Sequence, residues 1–463
     1  MSANPTRELL ENTAQLAADY RDSLNERPVR ALVGAGELEA ALAAPLPDGG
    51  ESAAQVIAAL ARLGASGTTA SAGPRYFGFV VGGSTPAALA ADWLVSAWDQ
   101  NGGLYALSPL VAAIEEVTGG WLRELVGLPA SMTVGFVTGC QMASFTALAA
   151  ARHRVLRNAG WDVEAEGLPG APPIEVLAGD EAHYTIFMAL RLLGLGSRVQ
   201  RVPTDAQGRM RADALAAMLE RVNGPCIVCA QAGNVNSGAF DPLEQIASLS
   251  HARGGWLHVD GAFGLWAAAA PARAHLVRGI GQADSIATDG HKWLNVPYDC
   301  GIVFCADEAA HRGAMSLATP AQAAPYLATS TRRRDPHEFV PEESRRARAV
   351  PVYAALRALG RAGLAELIER NCRQAQRFAA GLAAAGHEVL NEVVLNQVVV
   401  SFGSAERTRR IVTALQEDGT CWCGTTVWQG RTAMRISVSS WATTDADVER
   451  SLAAMLRIAR AVG

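Results

Sequence analysis

The 463-residue sequence contains almost no lysine: of its 40 basic residues only Lys292 is a lysine, and the other 39 are arginines. Arginine stays protonated and is a poor nucleophile, whereas a desolvated lysine can lose its proton and attack a carbonyl. Lys292 stands between His291 and Trp293 at the end of a predicted strand, where an ordinary solvated charge is unusual. Position 292 is therefore predicted to need a nucleophilic amine.

Other scarcities exclude whole classes of protein. The net charge is -5 and the only basic block is "TRRRD" at 331–335, which argues against nucleic-acid binding. The apolar runs are alanine-rich and interrupted by charges, which predicts no membrane span. The first 20 residues lack a basic start followed by an apolar stretch, so we expect a cytoplasmic protein and not a secreted one.

Two further motif classes are missing. "CIVC" at 226–229 and "CWC" at 421–423 have no second ligand pair at zinc spacing, so no metal site is predicted. No G-x-G-x-x-G follows the first strand of a βαβ unit, which disfavours a dinucleotide-binding protein.

Short apolar runs alternate with helical patterns between about 87 and 310, and most of these runs are bounded by Gly or Pro. This alternation predicts an α/β fold with a mainly parallel sheet covered by helices. The predicted division is a helical N-terminal segment (1–85), a large α/β domain (86–350) with an irregular loop at 311–345, and a small C-terminal α+β domain (351–463). The predicted strands lie in 132–139, 174–183, 226–234, 255–262, 285–292 and 301–306.

Polar side chains stand at the carboxyl ends of these predicted strands, which is the edge where open α/β sheets bind ligands. The residues are Thr138, His183, Asn234, Asp260, His291 and Lys292. A Schiff-base lysine at such an edge is typical of an aldolase-type enzyme or of an enzyme that uses pyridoxal 5'-phosphate (PLP).

PLP makes three further demands, and the sequence offers a candidate for each. "FVTGCQMASF" (136–145) predicts a strand, a glycine turn and a helix start that can hold a phosphate. Asp260 in "LHVDGAFG" can pair with the pyridine nitrogen, although the same residue could be a helix cap. His183 in "GDEAHYT" can lie flat against the ring, although a lone histidine is more often structural.

Together, "TGCQMASFTALAAAR", "EAHYT", "HVDGAFG" and "DGHKWLNVPYDCG" resemble the group II PLP-dependent decarboxylases, which include the aromatic-L-amino-acid, glutamate and histidine enzymes. The resemblance extends from "RYFGFVVGGSTP" to "MRISVSSW". It implies the type I fold of PLP-dependent aminotransferases and decarboxylation of an L-amino acid, aromatic or similar, to the amine. It also implies a homodimer whose active sites lie at the interface, with the N-terminal segment wrapped around the partner.

The resemblance also implies residue roles. Lys292 would form the Schiff base, Asp260 would pair with the pyridine nitrogen, and His183 would stack on the ring. Tyr326, in "PYL" of the long loop, would be the proton donor. The remaining cofactor contacts would come from Gly139, Cys140, Gln141, Asn234, Asn236, Ala262, Asp289 and His291, and the substrate pocket from Tyr76, Phe79, Val80, Val81 and Trp98.

Three departures from the family pattern stand out. Asp289 replaces the asparagine that is usual in the aromatic enzymes, Cys140 and Gln141 replace smaller residues of the phosphate cradle, and "FGFVVGG" (77–83) is less bulky than the usual pocket segment. Two alternatives stay open. The first is another PLP reaction, either oxidative deamination to an aldehyde or transamination. The second is a non-catalytic PLP-fold regulatory protein, which the intact Lys292, Asp260 and His183 disfavour.

Overall fold

A computed structural model describes residues 5–43, 45–196, 199–316 and 333–462. The described chain divides into two units. The sheet unit comprises Gly82–Gln376 and Leu390–Val398, and the terminal unit comprises Met1–Val81, Arg377–Val389 and Val399–Gly463.

The sheet unit is built on seven strands in the order β1-β7-β6-β5-β4-β2-β3. β7 runs antiparallel to both of its neighbours, and the other pairs are parallel. Six strands therefore end at one edge of the sheet. The strands are β1 (Thr133–Val137), β2 (Glu175–Gly179), β3 (Val199–Val202), β4 (Cys226–Gln231), β5 (Trp256–Asp260), β6 (Ser285–Asp289) and β7 (Gly301–Cys305).

Helices cover the sheet, and β1, β4, β5, β6 and β7 are buried along their whole length. Burial on both faces explains why these strands have continuous apolar runs and no alternation. The helices of this unit are α4 (Pro86–Trp98), α5 (Pro109–Leu125), α6 (Cys140–Asn158), α7 (Val163–Glu166), α8 (Tyr184–Leu192), α9 (Ala212–Leu219), α10 (Leu243–Ala252), α11 (Glu308–Met315) and the first part of α12 (Ala349–Ala384).

The terminal unit contains a four-stranded sheet in the order β10-β11-β9-β8, with antiparallel neighbours. Its helices confirm the predicted helical N-terminus and the predicted α+β C-terminus. The elements are α1 (Pro5–Ser23), α2 (Ala35–Leu42), α3 (Ala53–Gly67), β8 (Glu388–Val389), β9 (Gln397–Ser401), α13 (Ala405–Asp418), β10 (Gly424–Trp428), β11 (Arg431–Ser437) and α14 (Asp445–Ala461).

The mainly parallel, helix-covered sheet confirms the predicted fold class, with differences in detail. β3 was not predicted from the sequence. It is an edge strand whose middle residues are exposed, and such a strand needs no continuous apolar run. The irregular loop was predicted to start at residue 311, but α11 continues to Met315. The Asp307 side chain caps the start of this helix by accepting the Ala310 N–H. Among the described helices, none is long and apolar enough to cross a membrane.

Candidate active site

The carboxyl ends of β1, β2, β4, β5 and β6 open onto one cavity of about 250 Å³ in the sheet unit. The cavity brings together residues that are up to 153 positions apart in the sequence, from Gly139 to Lys292. Its described lining residues are Gly139, Cys140, Gln141, His183, Tyr184, Thr185, Gln231, Gly233, Val235, Asp260, Ala262, Phe263, Asp289, His291 and Lys292.

Two of the wall segments follow β1 and β5. Gly139 lies after β1 and is the N-cap of α6, so that the helix starts at the cavity with Cys140. A helix start presents backbone N–H groups and a partial positive charge, and it favours an anion. Asp260 ends β5, and its carboxylate accepts hydrogen bonds from the Ala262 N–H at 3.0 Å and from the Cys140 thiol at 3.4 Å. Burial, together with the nearby carboxylates of Asp260 and Asp289, raises the pKa of the Cys140 thiol well above its usual range, so this thiol stays protonated.

Lys292 follows β6 in a short turn, and its Nζ lies 2.9 Å from Oδ2 of Asp289. Burial acts to lower the pKa of Lys292, but the carboxylate of Asp289 outweighs it, with smaller help from Asp260, and the net pKa is raised. Burial alone would favour the neutral amine, but the Asp289 carboxylate acts in the opposite direction. The 2.9 Å contact with Asp289 therefore favours the ammonium form of Lys292.

His291 lies in the turn after β6, between Asp289 and Lys292 in the sequence, and its ring contacts Asp289 and Cys300. Its Nδ1 accepts a hydrogen bond from the Cys300 N–H at 3.1 Å, which leaves the proton on Nε2, 3.4 Å from Oδ1 of Asp289. Burial lowers the pKa of His291, so the neutral imidazole is favoured. The ring of Tyr298 stacks on it with centroids 4.3 Å apart.

His183 is the N-cap residue of α8, and its Nδ1 lies 2.7 Å from the Thr185 hydroxyl. This contact orients the imidazole at the cavity wall. Tyr184 lies beside it, with ring centroids 4.6 Å apart, and its side chain is exposed.

Asn234 and Asn236 are not among the described residues that line the cavity. Asn234 holds the loop after β4 instead: its side-chain oxygen accepts the N–H groups of Asn236 and Ser237 at 2.8 and 3.1 Å, and its amide donates to the Glu181 carbonyl. The neighbouring residues Gly233 and Val235 line the cavity. The hydrogen bond between the Asn236 N–H and the Asn234 side chain therefore supports the loop that forms this part of the wall.

The predicted substrate-pocket residues belong to both units. Trp98 is the last residue of α4, is partly exposed, and is not among the described lining residues. Tyr76, Phe79, Val80 and Val81 belong to the terminal unit. There, Tyr76 and Phe79 pack on the Trp422 ring at 5.0 and 5.3 Å, and Phe79 and Val80 both have positive φ angles, which is unusual for side chains of this size. Tyr326 lies outside the described residues.

Six described lining residues were not predicted from the sequence: Tyr184, Thr185, Gln231, Gly233, Val235 and Phe263. Gln231 could have been found, because it is the last residue of β4 and its strand end was already predicted to lie at the ligand edge. The others are neighbours of the predicted residues, and their direction depends on loop geometry.

The residues fit PLP. One cavity contains an amine for the aldehyde, a carboxylate for the pyridine nitrogen, an imidazole and a small residue for the ring faces, and a helix start for the phosphate. These groups are Lys292, Asp260, His183, Ala262 and Cys140, and they come from four different strand ends. Their convergence depends on the fold and not on one local motif.

Comparison with known proteins agrees with PLP as the cofactor. The pyridoxal-dependent decarboxylase conserved domain matches residues 36–403. An aromatic-L-amino-acid decarboxylase of Bacillus atrophaeus is 29% identical over 395 residues, which is 83% of this chain and 79% of the relative. An L-2,4-diaminobutyrate decarboxylase of Rhizobium meliloti (strain 1021) is 32% identical over 391 residues, covering 81% and 75%.

A solved structure shares the fold. The crystal structure of Oryza sativa TDC with PLP and tryptamine superimposes with a TM-score of 0.92 at 24% identity, covering 100% of this chain and 99% of that one. With the domain match over most of the chain, the conclusion is that the protein belongs to the pyridoxal-dependent decarboxylase family and is a PLP-dependent carboxy-lyase that converts an amino acid into an amine.

Proposed function

We propose that the protein decarboxylates an aromatic L-amino acid to the corresponding amine, with PLP attached to Lys292. The observation that carries this proposal is the convergence of Lys292, Asp260, His183 and Ala262 on one cavity. When bound, PLP supplies the electron sink that accepts the bonding electrons as CO₂ leaves.

The residues of the chain have distinct proposed tasks. Asp260 holds a proton on the pyridine nitrogen, and its own position is supported by the Ala262 N–H. His183 and Ala262 bound the two ring faces. The start of α6, at Gly139, Cys140 and Gln141, holds the phosphate together with His291, while Asp289 lies beside them. Asn234 and Asn236 support the loop after β4.

The aromatic preference is supported by the described cavity wall. Of the described lining residues, only Asp260 and Asp289 are carboxylates, and both already have partners within the chain. Tyr184, Phe263 and Val235 offer ring and aliphatic surface. A substrate with a side-chain ammonium, such as 2,4-diaminobutyrate, would need a further carboxylate, because burying an unpaired charge is costly. The predicted pocket residues Tyr76, Phe79, Val80, Val81 and Trp98 remain part of this proposal.

The test is a panel of carboxyl-labelled L-amino acids, with CO₂ and amine measured together. We expect tryptophan, tyrosine, phenylalanine or dihydroxyphenylalanine to give the highest kcat/KM, with one amine per CO₂. Glutamate, histidine and 2,4-diaminobutyrate are the competitors, since the resemblance includes glutamate and histidine enzymes and an L-2,4-diaminobutyrate decarboxylase is 32% identical to this chain. A higher kcat/KM for any of these three would overturn the aromatic assignment and leave the decarboxylase assignment standing.

A second candidate function is decarboxylation with oxidative deamination to an aldehyde. The presence of a proton donor for the substrate distinguishes amine formation from this reaction. Tyr326 is proposed to protonate the substrate α-carbon after CO₂ has left, since a phenol keeps its proton at neutral pH. We therefore expect the wild-type protein to make amine, and not aldehyde, ammonia and peroxide.

We also propose a cytoplasmic homodimer in which the N-terminal segment (1–85) covers the partner and the active sites lie at the interface. Exposed apolar side chains on α1, α4 and α5 support it, because such surfaces are usually covered. These side chains are Leu10, Leu16, Trp93, Leu94, Leu110 and Val117. The eight free, buried thiols suit a reducing compartment. Light scattering over a dilution series tests the dimer, and an active monomer would refute it.

A further inference from the structure

Asp289 is a buried carboxylate whose contacts bear on loading of the cofactor. It ends β6 and is 2% exposed. Its Oδ1 accepts the N–H of Cys140, the first residue of α6, at 2.5 Å and lies 3.4 Å from Nε2 of His291. Its Oδ2 lies 2.9 Å from Nζ of Lys292. One carboxylate therefore accepts a helix-start N–H and lies within ion-pair distance of the His291 imidazole and of the only lysine amine of the chain.

Among the described residues, the main charges that act on the Lys292 ammonium are the carboxylates of Asp289 and Asp260, and no cation is among its main influences. Asp260 adds a second carboxylate, the Cys140 and Cys300 thiols have raised pKa values, and the pKa of His291 is lowered. Burial also raises the pKa of the Tyr298 phenol. Asp299 and Arg348 lie one step further out and act on Cys300, and Asp299 also acts on His291. The described titratable and charged groups around Lys292 and its neighbours are Asp260, Asp289, Asp299, Arg348, Cys140, Cys300, His291 and Tyr298.

Attachment of PLP needs the opposite charge state. An ammonium nitrogen has no lone pair to offer, so Lys292 must first release one proton to solvent. The neutral Nζ then bonds to the aldehyde carbon, one water molecule leaves, and a C=N bond remains. Every interaction that favours the ammonium in the free chain therefore reduces the fraction of protein that can react.

We propose that Asp289 is a built-in counter-ion that keeps Lys292 as an ammonium ion in the cofactor-free protein, and thereby slows covalent loading of PLP and makes it steeply pH-dependent. The proposal rests on the proposed function in one respect only, namely that Lys292 is the attachment point. Asp289 is thus a positioning residue: it acts through Lys292 and through the start of α6.

The wild-type protein permits a direct test, since Lys292 is the only lysine. Cofactor-free protein is acylated with a limiting amount of acetic anhydride across a pH series, and the α-amino group serves as internal reference. We expect Lys292 to react as an amine whose pKa lies above the ordinary lysine value of about 10.4. Reaction as an ordinary or more acidic amine would overturn the proposal, and this test needs no variant to fold.

The second test compares Asp289→Asn with a control at the other end of the same strand. Asp284 precedes β6, accepts the Leu257 N–H at 2.7 Å and pairs with His251 at 2.9 Å, so it matches Asp289 in contacts but lies away from the cavity. Asp284→Asn removes the same charge without touching Lys292. The rate of covalent PLP attachment is followed by the accompanying absorbance change in cofactor-free protein.

An opposite charge at this distance typically shifts a pKa by about 1–3 units, so near neutral pH Asp289→Asn should load PLP about 10- to 1,000-fold faster. Asp284→Asn should load at the wild-type rate. Equilibrium binding of pyridoxamine 5'-phosphate, which has no aldehyde, measures the non-covalent part for each variant. Dividing the rate ratio by this affinity ratio isolates the contribution of the amine.

Failure of this proposal and failure of the proposed function are distinguishable. If PLP attaches to Lys292 but the corrected rate of Asp289→Asn equals that of wild type, Asp289 is not the controlling counter-ion. If PLP does not attach to Lys292 in any variant, the attachment point in the proposed function is wrong, while acylation still reports the charge state of Lys292.

Discussion

The close approach of β7 to the start of α6 gives a sharp test of how the candidate site is built. Gly301 begins β7 and pairs with Val137 on one side and Asp289 on the other. A Cβ atom at position 301 would lie 2.5 Å from Cα and 2.6 Å from the carbonyl oxygen of Gly139, where ordinary contacts are 3.4–4 Å. Both atoms are backbone, so no rotamer change relieves the overlap, and Gly301→Ala must push β7 and the α6 start apart.

An extra methyl group in a packed core costs about 1–3 kcal/mol when neighbours can adjust, and we expect the upper end here because backbone must move. Displacement also separates the Cys140 N–H from Asp289, since these two groups flank Gly301. Gly301→Ala should therefore lower the free energy of unfolding by about 3 kcal/mol and weaken pyridoxamine 5'-phosphate binding.

Gly120→Ala is the matched control. Gly120 lies inside α5, where a new Cβ would meet only the Arg123 side chain at 4.0 Å. Alanine is favoured over glycine in a helix by about 0.5–1 kcal/mol, so this variant should be as stable as wild type or more stable. Chemical denaturation and ligand titration measure both variants. The reasoning is refuted if Gly301→Ala matches Gly120→Ala in stability and matches wild type in ligand affinity.

Three further outcomes are expected. Asp260→Ala should lose most of the rate of CO₂ release, because the pyridine nitrogen then lacks its carboxylate; near-wild-type turnover would reduce Asp260 to a partner of Ala262. Tyr326→Phe should still release CO₂ but shift product from amine toward aldehyde, ammonia and peroxide in air, and unchanged amine yield would exclude Tyr326 as the donor. Burial lowers the pKa of His258 from 6.5 to about 4, so the folded chain binds fewer protons than the unfolded one. The stability this contributes is complete above pH 6.5 and should be lost, by about 3 kcal/mol, as the pH falls toward 4. His258→Asn should flatten that part of the denaturation profile, and an unchanged profile would contradict the assignment.

The parts of the fold that follow from burial could be predicted from the sequence. β4 and β5 are buried on both faces, so their apolar runs mark them, and the polar residue after such a run lies at the ligand edge. That reasoning alone places Asp260 and Lys292 together. β3 was not predicted, because an edge strand buries little surface and needs no continuous apolar run in its sequence.

Individual contacts at the site could not be predicted from the sequence, because they depend on the exact backbone path of the loops that follow the strands. Sequence alone gave no reason for Asp289 to reach both the Cys140 N–H and the Lys292 amine, and this pair reverses the charge state expected from burial. Asn234 shows the same limit: it follows β4 as predicted, yet its side chain bonds to the N–H groups of its own loop.

The central claim is that PLP attached to Lys292 carries out the decarboxylation, and reductive trapping tests it most directly. The loaded protein is reduced with borohydride, digested and mapped by mass spectrometry, and CO₂ release from an aromatic L-amino acid is measured before and after reduction. We expect one modified peptide, the one that contains "DGHKW", and complete loss of CO₂ release on reduction. Undiminished CO₂ release from protein that is fully modified at Lys292, or full activity with no modification there, would contradict it.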